Sequence, residues 1–353
     1  MRLPLLNRTA LPICSIQRIV ARDNTVHVGA RWVQLALRAP GVRTIIDSRL
    51  NTTVQATLNL GDVAQLPIVL APAREREAIA HILGTLDDKI ELNRRMSNTL
   101  ESVARTLFKS WFVAFDPVRA KAEGRDIGLA APIAALFPDS LVDSELGEIP
   151  DGWAASTFGK ELRTVLGGTP SRAEPAYWGG DIAWINSGKA NEFRVVTASE
   201  FITAEGLASS ATKLMPPRTT IIAITGATLG QISLTEIETC ANQSIVGIPG
   251  TAALPSEFIY FWAKEHVEKL VARQTGGAQQ HINKNDVNEL PVLRPSEALM
   301  AAFLAIGRPT FDRIRDCCEE AGTLLALRDT LLPKLISGEL RVKDPEKFIA
   351  QAV

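Results

Sequence analysis

The side chains best suited to touching a nucleic acid lie in Thr275-Gly276-Gly277-Ala278-Gln279-Gln280-His281-Ile282-Asn283-Lys284. Two glycines let a backbone approach a ligand, Gln279 and Gln280 offer the paired donor and acceptor that adenine presents, and His281 and Lys284 can reach phosphate. A solvated loop ahead of a helix cap is the plainer account, and Gln279 repeats as Gln55, which favours a structural role for it. A second stretch, Thr225-Gly226-Ala227-Thr228-Leu229-Gly230, could cradle a phosphate on backbone N–H groups, with the hydroxyls of Thr225 and Thr228 beside them. A β-hairpin turn explains it equally well. Tyr177, Trp178 and Trp184 could stack on bases, but their spacing favours core packing and leaves only Tyr177 or Trp178 for contact. Lys189, Arg194, Lys213 and Arg218 are candidate phosphate partners. Gln243, which has a counterpart in Gln17, reads as structural.

None of these groups is a catalytic constellation. The chain has no glycine-rich P-loop with Lys-Ser/Thr. Phe115-Asp116-Pro117-Val118 lacks the second proline and the aromatic that would hold a flipped base, and Pro138-Asp139 has no acidic-x-lysine partner. The histidines (27, 81, 266, 281) show no paired ligand spacing. Cys14, Cys240, Cys317 and Cys318 show no metal spacing, and the adjacent pair is poorly placed for a disulfide, which suits a reducing cytosol. No catalytic residue, metal or cofactor is expected. With 38 basic and 39 acidic residues the net charge is −1, so any grip on DNA is local or shared. No apolar run reaches the roughly 18 residues of a membrane span and the N-terminus lacks a signal pattern, so a cytoplasmic protein without membrane contact is expected.

The elements that must position these loops show in the periodicity. Within 72–117, apolar residues recur at helical spacing, and Ile79, Leu86, Asn93, Leu100 and Leu107 form one heptad position broken only by asparagine. A helix over 75–112 would be about 57 Å long. Shifting by 224 positions (Leu66 to Leu290) lays this unit on a second one. Gln55 meets Gln279, Asn59 meets Asn283, Asp62 meets Asp286 and Leu107 meets Leu331, without a gap. The segment 59–66 reads as a capped turn leading into a strand at 67–70. Pro309, inside the second helix (297–336), predicts a kink or break opposite Gly84-Thr85. Cys14-Ser-Ile-Gln17-Arg-Ile-Val20 reads as a strand copied by Cys240-Ala-Asn-Gln243-Ser-Ile-Val246. Strands are expected at 219–224, 231–235 and 243–248, helices over 30–50 and at 256–273, and a linker without sustained periodicity over 114–150. Phe108, Trp111, Phe112 and Leu335 are expected on outward faces of the helix pair, as docking points for partners.

Three stretches carry a family resemblance. Residues 110–125 (SWFVAFDPVRAKAEGR) and 135–153 (ALFPDSLVDSELGEIPDGW) are similar to the central region of type I restriction-modification specificity subunits. The segment from Leu290-Pro291 to LLPKLISGEL (331–340) resembles their C-terminal conserved region. The resemblance implies an α+β chain with target recognition domains at the ends of two long antiparallel helices, a coiled-coil strut. It implies a non-catalytic subunit that reads double-stranded DNA and directs type I methyltransferase (modification) subunits and, through the complex, a restriction/translocase subunit. The expected domains are a partial first recognition domain (1–71), a long helix (72–117), a linker (118–148), a second recognition domain (149–295), a second long helix (296–340) and a tail (341–353). A helical scaffold, or a degenerate remnant that does not read DNA itself, is the competing expectation.

The repeat is uneven. The Trp153, Gly167-Gly168-Thr169-Pro170, Tyr177-Trp178 and Thr225–Gly230 motifs precede the Cys240 strand, and none has a counterpart before Cys14. A truncated first recognition domain is therefore expected, either because the true start lies upstream or in another frame, or because the fragment is a remnant.

Overall fold

Pro40 divides the first helical stretch. The residue before a proline is pushed towards extended backbone, and Ala39 (φ −61°, ψ 140°) separates α1 (Ala30–Arg38) from α2 (Pro40–Arg49). The structure, a computed structural model, describes residues 29–50, 57–273 and 282–345. The expected Cys14–Val20 strand and Gln55 lie outside these residues. The chain divides into one unit of residues 1–93 and 320–353 and another of residues 94–319.

In the first unit, Asn59 caps α3 (Leu60–Ala64), its Oδ1 accepting from Asp62 N at 2.9 Å. The next residues correct an expectation. Pro67–Leu70 forms no strand, because no neighbouring strand lies beside it among the described residues. It is tethered instead by the Trp32 indole, whose Nε1 donates to Val69 O at 3.1 Å. The first long helix, α4 (Ala73–Phe112), then begins. Its Ile79 and Leu83 share a buried cluster with Trp32, Leu35, Leu332, Leu335 and Ile336. Asp87 accepts from Arg328 Nη1 at 2.9 Å and Asn93 donates to Glu320 Oε2 at 2.8 Å. Numbers fall on one helix as they rise on the other, so the two run antiparallel. Asn93, the polar break in the seam, is buried and satisfied.

The second unit continues the pairing. Met96 meets Cys317 (S–S 3.6 Å), and the Phe108 ring lies 6.2 Å from Phe303. Along the chain follow α5 (Asp116–Ala122), α6 (Ala131–Ala134), β1 (Leu141–Ser144), β2 (Gly147–Pro150), β3 (Ala154–Thr157), α7 (Phe158–Glu161), β4 (Val165–Leu166), β5 (Trp178–Ile185), β6 (Glu200–Ile202) and α8 (Ala204–Ala208). Then come β7 (Thr220–Ala223), β8 (Ile232–Leu234), β9 (Cys240–Ala241), β10 (Ile245–Ile248), α9 (Ser256–Arg273), α10 (Lys284–Asn288), β11 (Pro291–Arg294) and α11 (Glu297–Ser337). The mixture is α+β. An antiparallel sheet runs β4-β10-β7-β8, a smaller one runs β6-β5-β9 with β9 parallel to β5, and β3 pairs with β11.

Two further expectations are corrected here. The 114–150 stretch, expected as a linker without sustained periodicity, packs onto the core. Val118, Phe137 and Ile149 are buried in the same core as Phe258 and Phe303, and Lys121 Nζ donates to Phe137 O at 2.7 Å. Pro309 does not break α11, although its ring removes one backbone donor. Phe303 and Phe311 on either side are fully buried and hold the helix through the gap. Gly84 faces α1, since a Cβ there would sit 2.2 Å from Arg31 Cζ. Among the described residues no helix is long and apolar enough to cross a membrane.

Candidate nucleic-acid interface

The register of the four-stranded sheet sets where its loops emerge. Leu166 pairs beside Val246, Ile245 beside Ala223, and Ile222 beside Ile232. The end of β4, the start of β10, the end of β7 and the start of β8 therefore share one end of the sheet. Backbone bonds knit the loops there. Gly167 N donates to Ile245 O at 3.0 Å, Gly168 N to Ala241 O at 2.8 Å, Ile224 N to Ser244 O at 2.9 Å and Ile282 N to Ile224 O at 3.0 Å. The Gly167–Pro170 turn, the Asn242–Ser244 turn, the Thr225–Gly230 turn and Ile282 are thus brought together. Glycine is required at two of these positions: a Cβ on Gly167 would lie 2.0 Å from Asn242 O, and one on Gly168 2.5 Å from Thr212 N.

The Thr225–Gly230 turn closes the β7–β8 hairpin, with Gly230 N donating to Ala223 O at 2.8 Å and Gly226 at φ +72°. Thr225 and Thr228 are half-buried, and the Thr228 hydroxyl turns back to Thr225 O at 3.5 Å. Gln279, Gln280 and His281 lie outside the described residues. Lys284 opens α10, where Asn283 and Asp286 form a reciprocal cap. That helix packs against α7: a Cβ on Gly159 would touch Asn288 Cβ at 2.8 Å, and Thr164 Oγ1 donates to Asn288 Oδ1 at 2.6 Å. Exposed Lys160 and Arg163, flanking this contact, had no motif to mark them in the sequence.

Trp184 is core, as expected, and its Nε1 reaches Gly168 O at 3.1 Å, tying β5 to the glycine turn. Trp178 is half-buried, edge-on to Trp184 with ring centres 5.3 Å apart. The Arg172 guanidinium covers its ring at 3.5 Å, and the same guanidinium is held by both Glu200 oxygens at 2.7 Å. Those two bonds lower the Glu200 carboxyl below its ordinary range. Tyr177 sits half-buried at the end of a short 3-10 turn. Lys189 is engaged internally, donating to Glu192 Oε1 at 2.8 Å and Thr197 Oγ1 at 3.0 Å. Lys213 is exposed and has no ion-pair partner among the described residues.

Arg194 and Arg218 are corrected as phosphate partners. Both are drawn into a charge cluster among α4, α9 and α11. Arg194 is 3% exposed and donates to Tyr260 Oη at 2.9 Å and Glu101 Oε2 at 3.3 Å. Arg218 holds Glu257 Oε1 at 2.8 Å and Asp312. Glu101 and Glu236 share Arg194 yet shift in opposite directions. Burial opposes the charge of Glu101, but Arg194 and Lys264 outweigh it and hold the carboxyl low. Burial pushes Glu236 up to about 7, because its nearest cations stand off at 3.6 and 4.0 Å and neither oxygen accepts a hydrogen bond among the described residues.

The expected docking residues are also corrected. Phe108, Trp111 and Phe112 are at most 1% exposed, packed with Phe258, Phe303 and Trp153, and Leu335 is 4% exposed in the first unit's core. The apolar surplus that suggested a partner is consumed by the chain's own aromatic core.

A family model described as type I restriction modification DNA specificity domain matches residues 150–298, the segment that contains this sheet. The chain is 27% identical over 341 residues to the type I restriction enzyme HindI specificity subunit of Haemophilus influenzae, covering 84% of this chain and 74% of that protein. It is 24% identical over 273 residues to the type I restriction enzyme MjaIX specificity subunit of Methanocaldococcus jannaschii, covering 76% of this chain and 60% of that protein. The crystal structure of a type I restriction-modification system S subunit from M. genitalium matches with a TM-score of 0.55 at 16% identity, over 87% of this chain and 72% of that one. At that identity the match speaks for the fold.

Proposed function

We infer that this chain is a specificity subunit of a type I restriction-modification system and acts in it as the sequence-specific DNA-recognition subunit, without catalysis of its own. The observation that carries the reading is the convergence, at one sheet end inside the family-matched segment, of both glycine turns and Ile282. Such an end offers backbone N–H groups and short polar side chains to a phosphate. Modification subunits supply methyl transfer, and a restriction subunit joins through the complex. Its place is the cytoplasm, where the DNA is. Residues 149–295 serve as the recognition domain, and the helices within 72–117 and 296–340 as the conserved pair. Thr225, Thr228, Gln279, Gln280, His281 and Lys284, with Tyr177 or Trp178 at its flank, make up the contact surface. Lys189 would join only by leaving Glu192.

Band shifts with and without a type I methyltransferase subunit test the reading. Sequence-selective retardation is expected with the partner and not for the chain alone. Within the complex, replacing Gln279, Gln280 and Lys284 by alanine should weaken binding, with Lys284 reducing the salt dependence by about one phosphate. A complex that binds all duplexes alike would contradict the assignment.

A further inference from the structure

We propose that Lys213 and Gln243, the latter oriented by Thr169, grip one backbone phosphate of the bound DNA, a contact that positions the duplex without reading its sequence. The proposal rests on the reading of the chain as a DNA-specificity subunit. Its first support is place. Gly167-Gly168 lies pressed against the backbone of Ala241–Asn242, so the Thr169 and Gln243 side chains stand side by side at the sheet end where the other loops converge. Lys213 follows Thr212, whose Oγ1 donates to Ala241 O at 3.0 Å, and so belongs to the same corner.

The second support is hydrogen-bonding capacity. Thr169 Oγ1 donates to Gln243 Oε1 at 2.5 Å, which occupies the acceptor end of the amide and leaves its two N–H donors. Gln243 and Lys213 are both exposed. Arg172, Lys189, Arg194 and Arg218 each hold carboxylates, whereas Lys213 has no ion-pair partner among the described residues. Two amide donors and an ammonium beside a close-packed backbone suit a tetrahedral anion.

The third support separates a phosphate from a base. Cys-x-x-Gln-x-Ile-Val occurs at 14–20 and again at 240–246, and the residues beside the glutamine differ: Ile16 and Arg18 against Asn242 and Ser244. A side chain that reads a base must change with the target. A side chain that holds the sugar-phosphate backbone does the same work on any target. A purely structural glutamine would have no need to stand exposed.

The test uses the full chain with its methyltransferase subunit, and two duplexes: one with the site methylated in the host, one scrambled. Anisotropy titrations over a salt series compare the unsubstituted complex with Gln243→Glu and Lys213→Met. Gln243→Glu should weaken binding to both duplexes by the same factor, about tenfold, leaving their ratio unchanged. Lys213→Met should reduce the slope of log affinity against log salt by about 0.9. A changed ratio would make Gln243 a base reader. Unchanged affinity and slope would leave the corner structural. Either result overturns the proposal while the DNA-specificity reading stands. An unsubstituted complex that fails to tell the duplexes apart sinks both. Gln243→Ala, with an unaltered melting temperature and the same loss on both duplexes, separates lost contact from lost fold.

Discussion

Val69 and Leu293 hold the same place in two copies of one supersecondary unit, yet Val69 is 53% exposed and Leu293 3%. Much around them is alike. Asn59 and Asn283 cap the preceding turns, Trp32 donates to Val69 O as Trp262 donates to Pro291 O at 2.7 Å, and a helix of 40 or 41 residues follows. The differences come from neighbours. In the second copy β3 lies alongside and turns 291–294 into a strand. In the first no strand lies alongside among the described residues, and 67–70 joins no sheet. Caps and helices are local properties, whereas a strand exists only through its partner.

The comparison can be broken most directly at this pair. Leu293→Ala should destabilise the second unit by about 2–5 kcal/mol, because it empties a filled core position. Val69→Ala should cost less than about 0.5 kcal/mol in the first. Hydrogen exchange, which reports each unit by itself, is the suitable readout. Equal losses would mean that the first copy is covered as fully as the second.

A smaller effect separates the ion pairs of the two units. In the first, Arg38 and Asp87 pair at 3.0 Å and remain about 30% exposed. In the second, Glu236 is buried with its carboxyl raised from 4.5 to about 7. Between those values the folded chain holds a proton that the unfolded chain releases, so stability falls as pH rises across the window and levels off above it. Glu236→Gln should abolish that fall, with a gain on the order of 2 kcal/mol at pH 8 and none near pH 4. Melting curves across pH check it, and a substitution that destabilises at pH 8 would show that the charge is welcome there.

The caps give the smallest contrast. Asn283→Ala breaks a two-way box and should cost about 1–1.5 kcal/mol, against about 0.5–1 kcal/mol for Asn59→Ala. Chemical denaturation resolves the difference. Identical costs would mean that the return bond from Asp286 adds nothing.

Local physics is what the sequence made legible. Heptad spacing located α4 and α11 to within two residues. The capped turns and α9 were equally readable. Non-local facts were not. Phe108 and Trp111 looked like outward surplus because their cover, Phe258 and Phe303, lies far along the chain. Arg194 looked like any surface cation because Glu101 is 93 positions away. At the candidate interface, composition marked the two glycine turns and Lys284. The place of Gln243 beside Thr169 follows from sheet register, which no short motif encodes.

Mapping DNA methylation in the native host, with and without this gene, tests the central claim most directly. The account predicts that deletion removes methylation at one sequence motif genome-wide and that restoring the chain returns that motif. A methylation pattern unchanged by deletion, in a host whose methyltransferase subunit is expressed, would contradict it.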